Sequence, residues 1–289
     1  MAEAVYHVDG ELVPANEATV SVRDRGFMYG DAAFETIRVY GGTPFRWAAH
    51  ADRLERTCET LGFAGAIPAR TELRARVDET LAANDLTDAY LKLSVTRGAQ
   101  PGKLTPDERV DPTVVVMVSE LPRGGSEADR VWDGPAQLRT VDTERVSDAA
   151  LPSGAKTHNY LNGILARLEL RGTGADEALL CSAAGTLTEG AASNLFFVRG
   201  GTLQTPTAEL PLLPGVTREV VLKCAEESGL PIETGRYPLS ALEGATELFV
   251  TNSTWEVRPV TRVDDSEFAV GPVTRRLQAA FDERVERLY

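Results

Sequence analysis

Histidine and cysteine are scarce in this chain, lysine is rare for its size, and no apolar run is long enough to span a bilayer. Its 289 residues hold three histidines, His7, His50 and His158, and three cysteines, Cys58, Cys181 and Cys224. An odd cysteine count without C-x-x-C spacing speaks against a disulfide framework or a structural zinc site, so the thiols are expected in the core. The scattered histidines offer no metal cluster, and no metal is expected. No stretch approaches the roughly 20 apolar residues a membrane helix needs. The start, Met1-Ala2-Glu3-Ala4-Val5, lacks the basic-then-apolar order of a secretory signal. A cytoplasmic location is therefore expected.

Positive charge is also in the minority. Thirty Lys and Arg stand against 43 Asp and Glu, a net charge of −13. A field of that sign repels phosphate backbones and anionic head groups, which excludes nucleic acid and membrane surfaces as expected partners. Only Lys92, Lys103, Lys156 and Lys223 are lysines. A halophilic host, whose proteins stay hydrated through acidic, lysine-poor surfaces, explains this, and so does a GC-rich genome that writes Arg for Lys. Loss of stability as KCl rises to molar levels would exclude the first. With 43% hydrophobic and 25% charged residues, what remains is a soluble globular chain of one large domain or two medium ones.

The pattern along the chain is α+β. Val5 to Val8, an Asp9-Gly10 turn and Glu11 to Val13 read as a hairpin. Phe34 to Tyr40 reads as a strand that Gly41-Gly42 turns back into Thr43 to Phe45. Trp47, Ala51, Leu54, Cys58 and Leu61 lay one apolar stripe along a helix that Gly62 ends, and a second helix covers Glu72 to Ala83. Tyr90 to Thr96 and Thr113 to Val118 read as strands, the second apolar enough to be buried on both faces. The breaker-rich Leu121-Pro122-Arg123-Gly124-Gly125-Ser126 marks a boundary: a small N-terminal domain over 1–120, a linker over 121–128 and a larger C-terminal domain over 129–289. Beyond it, strands are expected at Gln137 to Val141, Glu177 to Cys181, Asn194 to Val198 and Glu247 to Thr251. Helices are expected over Asn159 to Arg171, from Pro214-Gly215 to Ser228, and over Val273 to Leu288.

Neither nucleotide fingerprint is present, and neither Ser182 nor Ser193 sits in a nucleophile-elbow context. Lys156 stands apart because it lies in Ala155-Lys156-Thr157-His158-Asn159-Tyr160-Leu161, just ahead of an amphipathic helix. By itself such a lysine is a solvated surface residue or a Schiff-base amine. Three further blocks follow it in order: Thr188-Glu189-Gly190 with Ser193-Asn194-Leu195-Phe196, then Leu213-Pro214-Gly215-Val216-Thr217-Arg218, then Glu247-Leu248-Phe249-Val250-Thr251-Asn252-Ser253.

With these blocks, and Val22-Arg23-Asp24-Arg25-Gly26 before them, the sequence resembles the class IV aminotransferase family over nearly its whole length. That family holds pyridoxal 5'-phosphate enzymes of fold type IV, among them branched-chain and D-amino-acid aminotransferases and 4-amino-4-deoxychorismate lyase. The resemblance implies a smaller N-terminal α/β domain, a larger C-terminal pseudo-barrel domain that binds the coenzyme, and a homodimer with its sites at the interface. It implies that Lys156 holds the coenzyme covalently and then moves protons at the substrate, and that Glu189 pairs with the pyridine nitrogen. Arg53, in His50-Ala51-Asp52-Arg53-Leu54, matches the phosphate arginine and suits a bidentate grip on the dianion. Val216 and Thr217 match the helix start at the phosphate, Asn252 and Ser253 the second phosphate loop, and Tyr160 a position facing the coenzyme. Without the resemblance, Arg53 reads first as an exposed helix salt bridge, and Tyr160 has a core tyrosine as its alternative.

For the substrate, the segments to weigh are Met28-Tyr29-Gly30, Phe34-Glu35-Thr36 and Tyr90-Leu91-Lys92, which make Tyr29, Phe34, Thr36, Tyr90 and Lys92 the candidates. Branched-chain enzymes carry His-Tyr-Gly, Phe-Glu-Gly and Tyr-Ile-Arg at these places. The Arg-x-His trap of D-amino-acid enzymes is absent after Thr96-Arg97-Gly98, where Ala99-Gln100-Pro101-Gly102-Lys103-Leu104 follows. Thr36 and Lys92 resemble the threonine and lysine of aminodeoxychorismate lyases, although Gly102 stands where those enzymes place a further basic residue. The expected reaction is that lyase reaction. The alternatives are transamination of a D- or branched-chain amino acid and, from another class, a non-catalytic ligand-binding relative that would show no coenzyme band.

Overall fold

A computed structural model describes residues 4–123 and 130–289, so most of the expected 121–128 linker lies outside the described residues. They form two compact units. The first contains residues 4–123, Ala155–Asn159 and Leu288–Tyr289, and the second contains residues 130–154 and Tyr160–Arg287. The Lys156 segment and the last two residues thus group with the first unit.

In the first unit, β1 (Val5–Val8), β2 (Glu11–Pro14), α1 (Arg25–Tyr29), β3 (Ala32–Tyr40), β4 (Thr43–Pro44), α2 (Trp47–Thr60), α3 (Arg70–Ala83), β5 (Ala89–Thr96) and β6 (Val114–Glu120) follow in order. The strands make one antiparallel sheet, β2-β1-β6-β5-β3-β4. Asp9 and Gly10 turn the first hairpin with φ of 49° and 102°, the left-handed backbone that an Asp-Gly pair tolerates. Ile37, Leu91, Leu93, Val95 and Val116 line one sheet face and pack against Leu54 and Cys58 of α2 and Leu73, Val77 and Leu81 of α3. Strand alternation sends Phe34, Thr36, Tyr90, Lys92 and Ser94 to the other face.

The expectation that β6 is buried on both faces fails. Val114, Val116 and Val118 are buried, but Met117 is 37% exposed. Helices of this unit cover only one face of the sheet, so an apolar run still alternates in burial.

The second unit contains β7 (Ala136–Thr140), α4 (Leu161–Leu168), β8 (Glu177–Cys181), β9 (Leu187–Gly190), β10 (Asn194–Arg199), β11 (Thr202–Pro206), α5 (Val216–Glu227), β12 (Ile232–Gly235), β13 (Glu247–Asn252), β14 (Glu256–Val263), β15 (Ser266–Glu267) and α6 (Pro272–Glu286). Its nine-stranded mixed sheet runs β12-β11-β10-β13-β14-β7-β8-β9, with β15 on β14. End strand β9 curls back beside β10, where Gly190 N donates to Ser193 O at 2.7 Å, and the sheet becomes a half-barrel. Leu138, Leu179, Leu195, Phe197, Leu248 and Val260 fill one side of it.

α4 is shorter than the Asn159 to Arg171 helix expected from the sequence. Tyr160 is its N-cap, and the chain past Leu168 turns through Gly172 and Gly174 at φ of 77° and 76°. Cys58 and Cys224 are buried as expected, whereas Cys181 is only half-buried; all three are free thiols. Among the described residues no helix is long and apolar enough to cross a membrane.

Candidate active site

The expected functional residues fall into two groups, one in each unit. In the first unit, Ala155–Asn159 runs antiparallel to the start of β3. Phe34 N donates to Lys156 O and His158 N donates to Ala32 O, each at 3.0 Å, and Thr157 bridges Ala33. In so extended a segment, Lys156 and His158 face one side and the buried Thr157 the other. Lys156 Nζ lies 4.4 Å from the centroid of the Phe34 ring, and Lys92 Nζ lies 4.9 Å from the same centroid. His158 meets that ring edge-on at 5.5 Å, with Nε2 3.2 Å from Ser94 Oγ.

Strand register completes the group. Phe34 is paired with Ser94, Thr36 with Lys92 and Arg38 with Tyr90. The expected substrate residues Phe34, Thr36, Tyr90 and Lys92 thus share the sheet face that carries Lys156. Tyr29 lies outside that row, at the end of α1, with the Arg25 guanidinium 5.0 Å from its ring. Burial, and after it the charge of Lys156, hold Lys92 below the ordinary lysine range. Burial followed by the charge of Lys92 brings His158 down to about 4, so its imidazole is neutral at pH 7. Arg25 also fixes the 99–105 loop, donating to Lys103 O at 2.6 Å and Leu104 O at 2.9 Å while Asp31 accepts from its Nε at 2.7 Å.

Arg53 is buried, with its fork held from within the protein. Its bidentate partner is a carboxylate of the protein: Nε donates to Glu35 Oε1 at 2.8 Å and Nη2 to Glu35 Oε2 at 2.6 Å. His50 Nδ1 lies 2.6 Å from the same Oε2. Burial alone would raise Glu35, but the charge and hydrogen bonds of Arg53, and then His50, carry it down to about 2. Neither Glu35 nor His50 was singled out from the sequence. The signal was a glutamate alternating with Ala33 and Ile37 on the helix-facing side of β3, where an unpaired carboxylate would be costly.

In the second unit, three donors converge on Glu189. Arg145 Nε reaches Oε1 at 2.9 Å, while Leu213 N at 3.0 Å and Asn194 Nδ2 at 3.2 Å reach Oε2. Arg145 is steadied by Asn162 Oδ1 at 3.1 Å. Val216 and Thr217 form the first turn of α5, whose N-cap, Gly215, provides no side-chain cap. The N–H groups of such a turn, with the helix dipole behind them, suit an anion. Asn252 closes the turn between β13 and β14: its Oδ1 accepts from Thr254 N at 3.0 Å and Trp255 N at 2.7 Å. The Asn252 oxygen is thus engaged within the turn, and Ser253 stands half-buried at its tip. Arg145 lies in an irregular stretch whose sequence carries no signal for its role.

These residues fit a phosphorylated pyridine in chemical type. The first unit supplies an amine at Lys156, and the second, by itself, a buried carboxylate at Glu189 held in one orientation and an uncapped helix start for an anion. The amino-transferase class IV family model matches residues 32–263. A putative branched-chain-amino-acid aminotransferase of Methanocaldococcus jannaschii is 36% identical over 96% of this chain and 95% of its own length. Among solved structures, the T.th. branched-chain amino acid aminotransferase complexed with N-(5'-phosphopyridoxyl)-L-glutamate superposes with a TM-score of 0.89, at 30% identity, covering 100% of this chain and 96% of that one. The 4-amino-4-deoxychorismate lyase of Pseudomonas aeruginosa superposes with a TM-score of 0.85, at 33% identity, covering 97% and 99%. The fold is the one these enzymes share.

Proposed function

This chain belongs to the amino-transferase class IV family, and from that premise we propose that it is a pyridoxal-phosphate enzyme, specifically a 4-amino-4-deoxychorismate lyase giving 4-aminobenzoate and pyruvate. The observation that carries the choice of reaction is the cross-strand pair Thr36 and Lys92, with the Lys92 and Lys156 ammonium groups both within 5 Å of the Phe34 centroid. Pyridoxal phosphate, when bound, supplies an electron sink that acidifies the carbon bearing the substrate's amino group.

The chain's own groups do the rest. Lys156 anchors the coenzyme through Nζ and, once released, its neutral amine takes the proton from that ring carbon. The ring's C–O bond to the enolpyruvyl group then breaks, and that group gains a proton to leave as pyruvate while the ring becomes aromatic. The Lys92 ammonium meets a substrate carboxylate, and the Thr36 hydroxyl opposite it orients the substrate at the reacting carbon, with Tyr90 and Phe34 flanking. Tyr29 is retained as a substrate residue on the resemblance alone. Glu189 holds the pyridine nitrogen. The N–H groups of Val216 and Thr217, the turn at Asn252 and Ser253, and Arg53 hold the phosphate, and Tyr160 faces the ring.

Lys92→Ala is expected to raise KM about tenfold or more with a smaller effect on kcat, because it removes binding that substrate and transition state share. Steady-state kinetics with an unchanged KM would remove Lys92 from the site. A second reading, transamination, is favoured by the 36% identity to a putative branched-chain aminotransferase. Spectra of coenzyme-loaded protein mixed with L-leucine, L-glutamate, D-alanine or D-glutamate, without any oxo acid, separate the two. A stable near-visible band is expected with all four. Rapid stoichiometric conversion to the pyridoxamine form by one of them would overturn the lyase in favour of a transaminase and name its enantiomer.

A homodimer belongs to the same proposal. α4 turns Leu161, Ile164, Leu165 and Leu168 outward, at exposures of 64, 54, 46 and 40%. Such a stripe at helical spacing is apolar area that water disfavours. Sedimentation is expected to give a dimer, and Ile164→Asp a shift toward monomer; a monomeric wild type would contradict this.

A further inference from the structure

Asn194 was singled out in the sequence only as part of a block, and nothing in the proposed chemistry uses it. Its side chain is 6% exposed at the start of β10. Both Nδ2 hydrogens are engaged, one by Glu189 Oε2 at 3.2 Å and one by Leu213 O at 2.9 Å. Leu213 N returns to the same Glu189 oxygen at 3.0 Å, which closes a ring of three residues. The other end of the amide touches the start of α5: a Cβ placed on Gly215 would lie 2.0 Å from Asn194 Oδ1. Gly215 has φ −68° and ψ 136°, a conformation open to any L-residue, so space for this carboxamide and not backbone freedom calls for glycine there.

The base on which Asn194 stands is equally fixed. Fully buried Glu177 accepts from Ala192 N and from Ser193 Oγ, each at 3.2 Å. Asn252 Nδ2 donates to Ala192 O at 3.2 Å, so the turn before Asn194 also meets the β13–β14 turn.

We propose that Asn194 is a positioning residue that sets the register of the coenzyme cradle, tying the Glu189 carboxylate to the Leu213–Gly215 turn that opens α5. This rests on reading Glu189 and the α5 start as ligands of the pyridine nitrogen and the phosphate, and is independent of the choice between lyase and transaminase. A rigid ligand with two recognised ends binds tightly only when both receptors are held at the matching separation beforehand. A neutral carboxamide does this because it offers two donors in one plane and an acceptor on the other side. Aspartate has no donor and sets a second negative charge against Glu189, and alanine offers nothing.

The test is binding, not turnover. Dissociation constants of the coenzyme-free protein would be measured for pyridoxal phosphate and, separately, for inorganic phosphate, in wild type, Asn194→Ala and Asn194→Asp, with thermal melts alongside. Asn194→Ala is expected to weaken pyridoxal phosphate about 10- to 100-fold, as loss of an orienting partner behind a ligand does. Inorganic phosphate should change less than about threefold, since one end alone needs no register. Asn194→Asp should lose more at pH 8 than at pH 6, because protonation relieves the paired carboxylates. Equal losses for both ligands would mean a collapsed helix start and overturn the proposal, as would unchanged affinity for pyridoxal phosphate. If Asn194→Ala melts too low to assay, the pH dependence of Asn194→Asp decides, and its absence overturns the proposal. Failure of the wild type to bind pyridoxal phosphate would instead overturn the coenzyme reading itself.

Discussion

Lys156→Ala is expected to lower kcat/KM by roughly 10³-fold or more, the scale on which an essential acid–base group acts, and to remove the near-visible coenzyme band. The fold should survive. The segment is held by its backbone, with Lys156 N donating to Thr57 Oγ1 at 3.1 Å and Lys156 O accepting from Phe34 N at 3.0 Å, and an alanine keeps both bonds. What is lost is a half-buried ammonium over Phe34, a contact of about 0.5–1 kcal/mol at a partly exposed site. Thermal melts near the wild-type value with activity abolished would therefore assign the residue to chemistry. A variant that keeps turnover would exclude both the lyase and the transaminase.

The second large effect concerns stability. Glu35→Ala leaves Arg53 and His50 buried without their shared carboxylate, and breaking a buried ion pair from one side costs about 3–5 kcal/mol. Because Glu35 also fixes the Arg53 guanidinium, coenzyme affinity should fall with it. The pH dependence has a definite sign. Glu35 lies at about 2 when folded against an ordinary 4.5, so its contribution is complete above about 4.5 and disappears as the pH falls toward 2.

The histidines act in the same direction at higher pH. His7, His50 and His158 are all lowered chiefly by burial. The unfolded chain therefore gains protons below about 6.5 that the folded chain refuses, and stability falls as the pH drops through that value. Urea midpoints of the wild type should decline in two stages, the first below about 6.5 and the second below about 4.5, with the second smaller in Glu35→Ala because Asp31 is also held low by Arg97 and Arg25. Coincident midpoints for the two proteins at pH 7 would contradict the buried-pair assignment.

Periodicity made much of the architecture legible. The stripe Trp47, Ala51, Leu54, Cys58, Leu61 became α2, with Leu54 and Cys58 in the core as that spacing implies. The Asp-Gly hairpin and the strands at Glu177 and Asn194 stand where the pattern puts them. The strands β9, β11, β12 and β14 were not read. They are short or carry charged and breaker residues, such as Glu189, Pro206 and Pro259, and they are strands because neighbours in a curled sheet satisfy their backbones. In the site, residues with a distinctive block around them, Lys156 above all, were visible in the sequence. Glu35 and Arg145 were not, since each is defined by a partner 18 and 44 residues away, which no local pattern encodes. The same limit hid the partner of Arg53, because the glutamate that takes its fork lies on another element.

The central claim is that Lys156, Lys92 and Thr36 serve a lyase. The most direct measurement mixes coenzyme-loaded protein with 4-amino-4-deoxychorismate, without any amino or oxo acid, and follows both products. The account predicts 4-aminobenzoate and pyruvate in equal amounts over many turnovers, abolished by Lys156→Ala. Absence of 4-aminobenzoate, with an amino group passing instead from an amino acid to a 2-oxo acid, would contradict it.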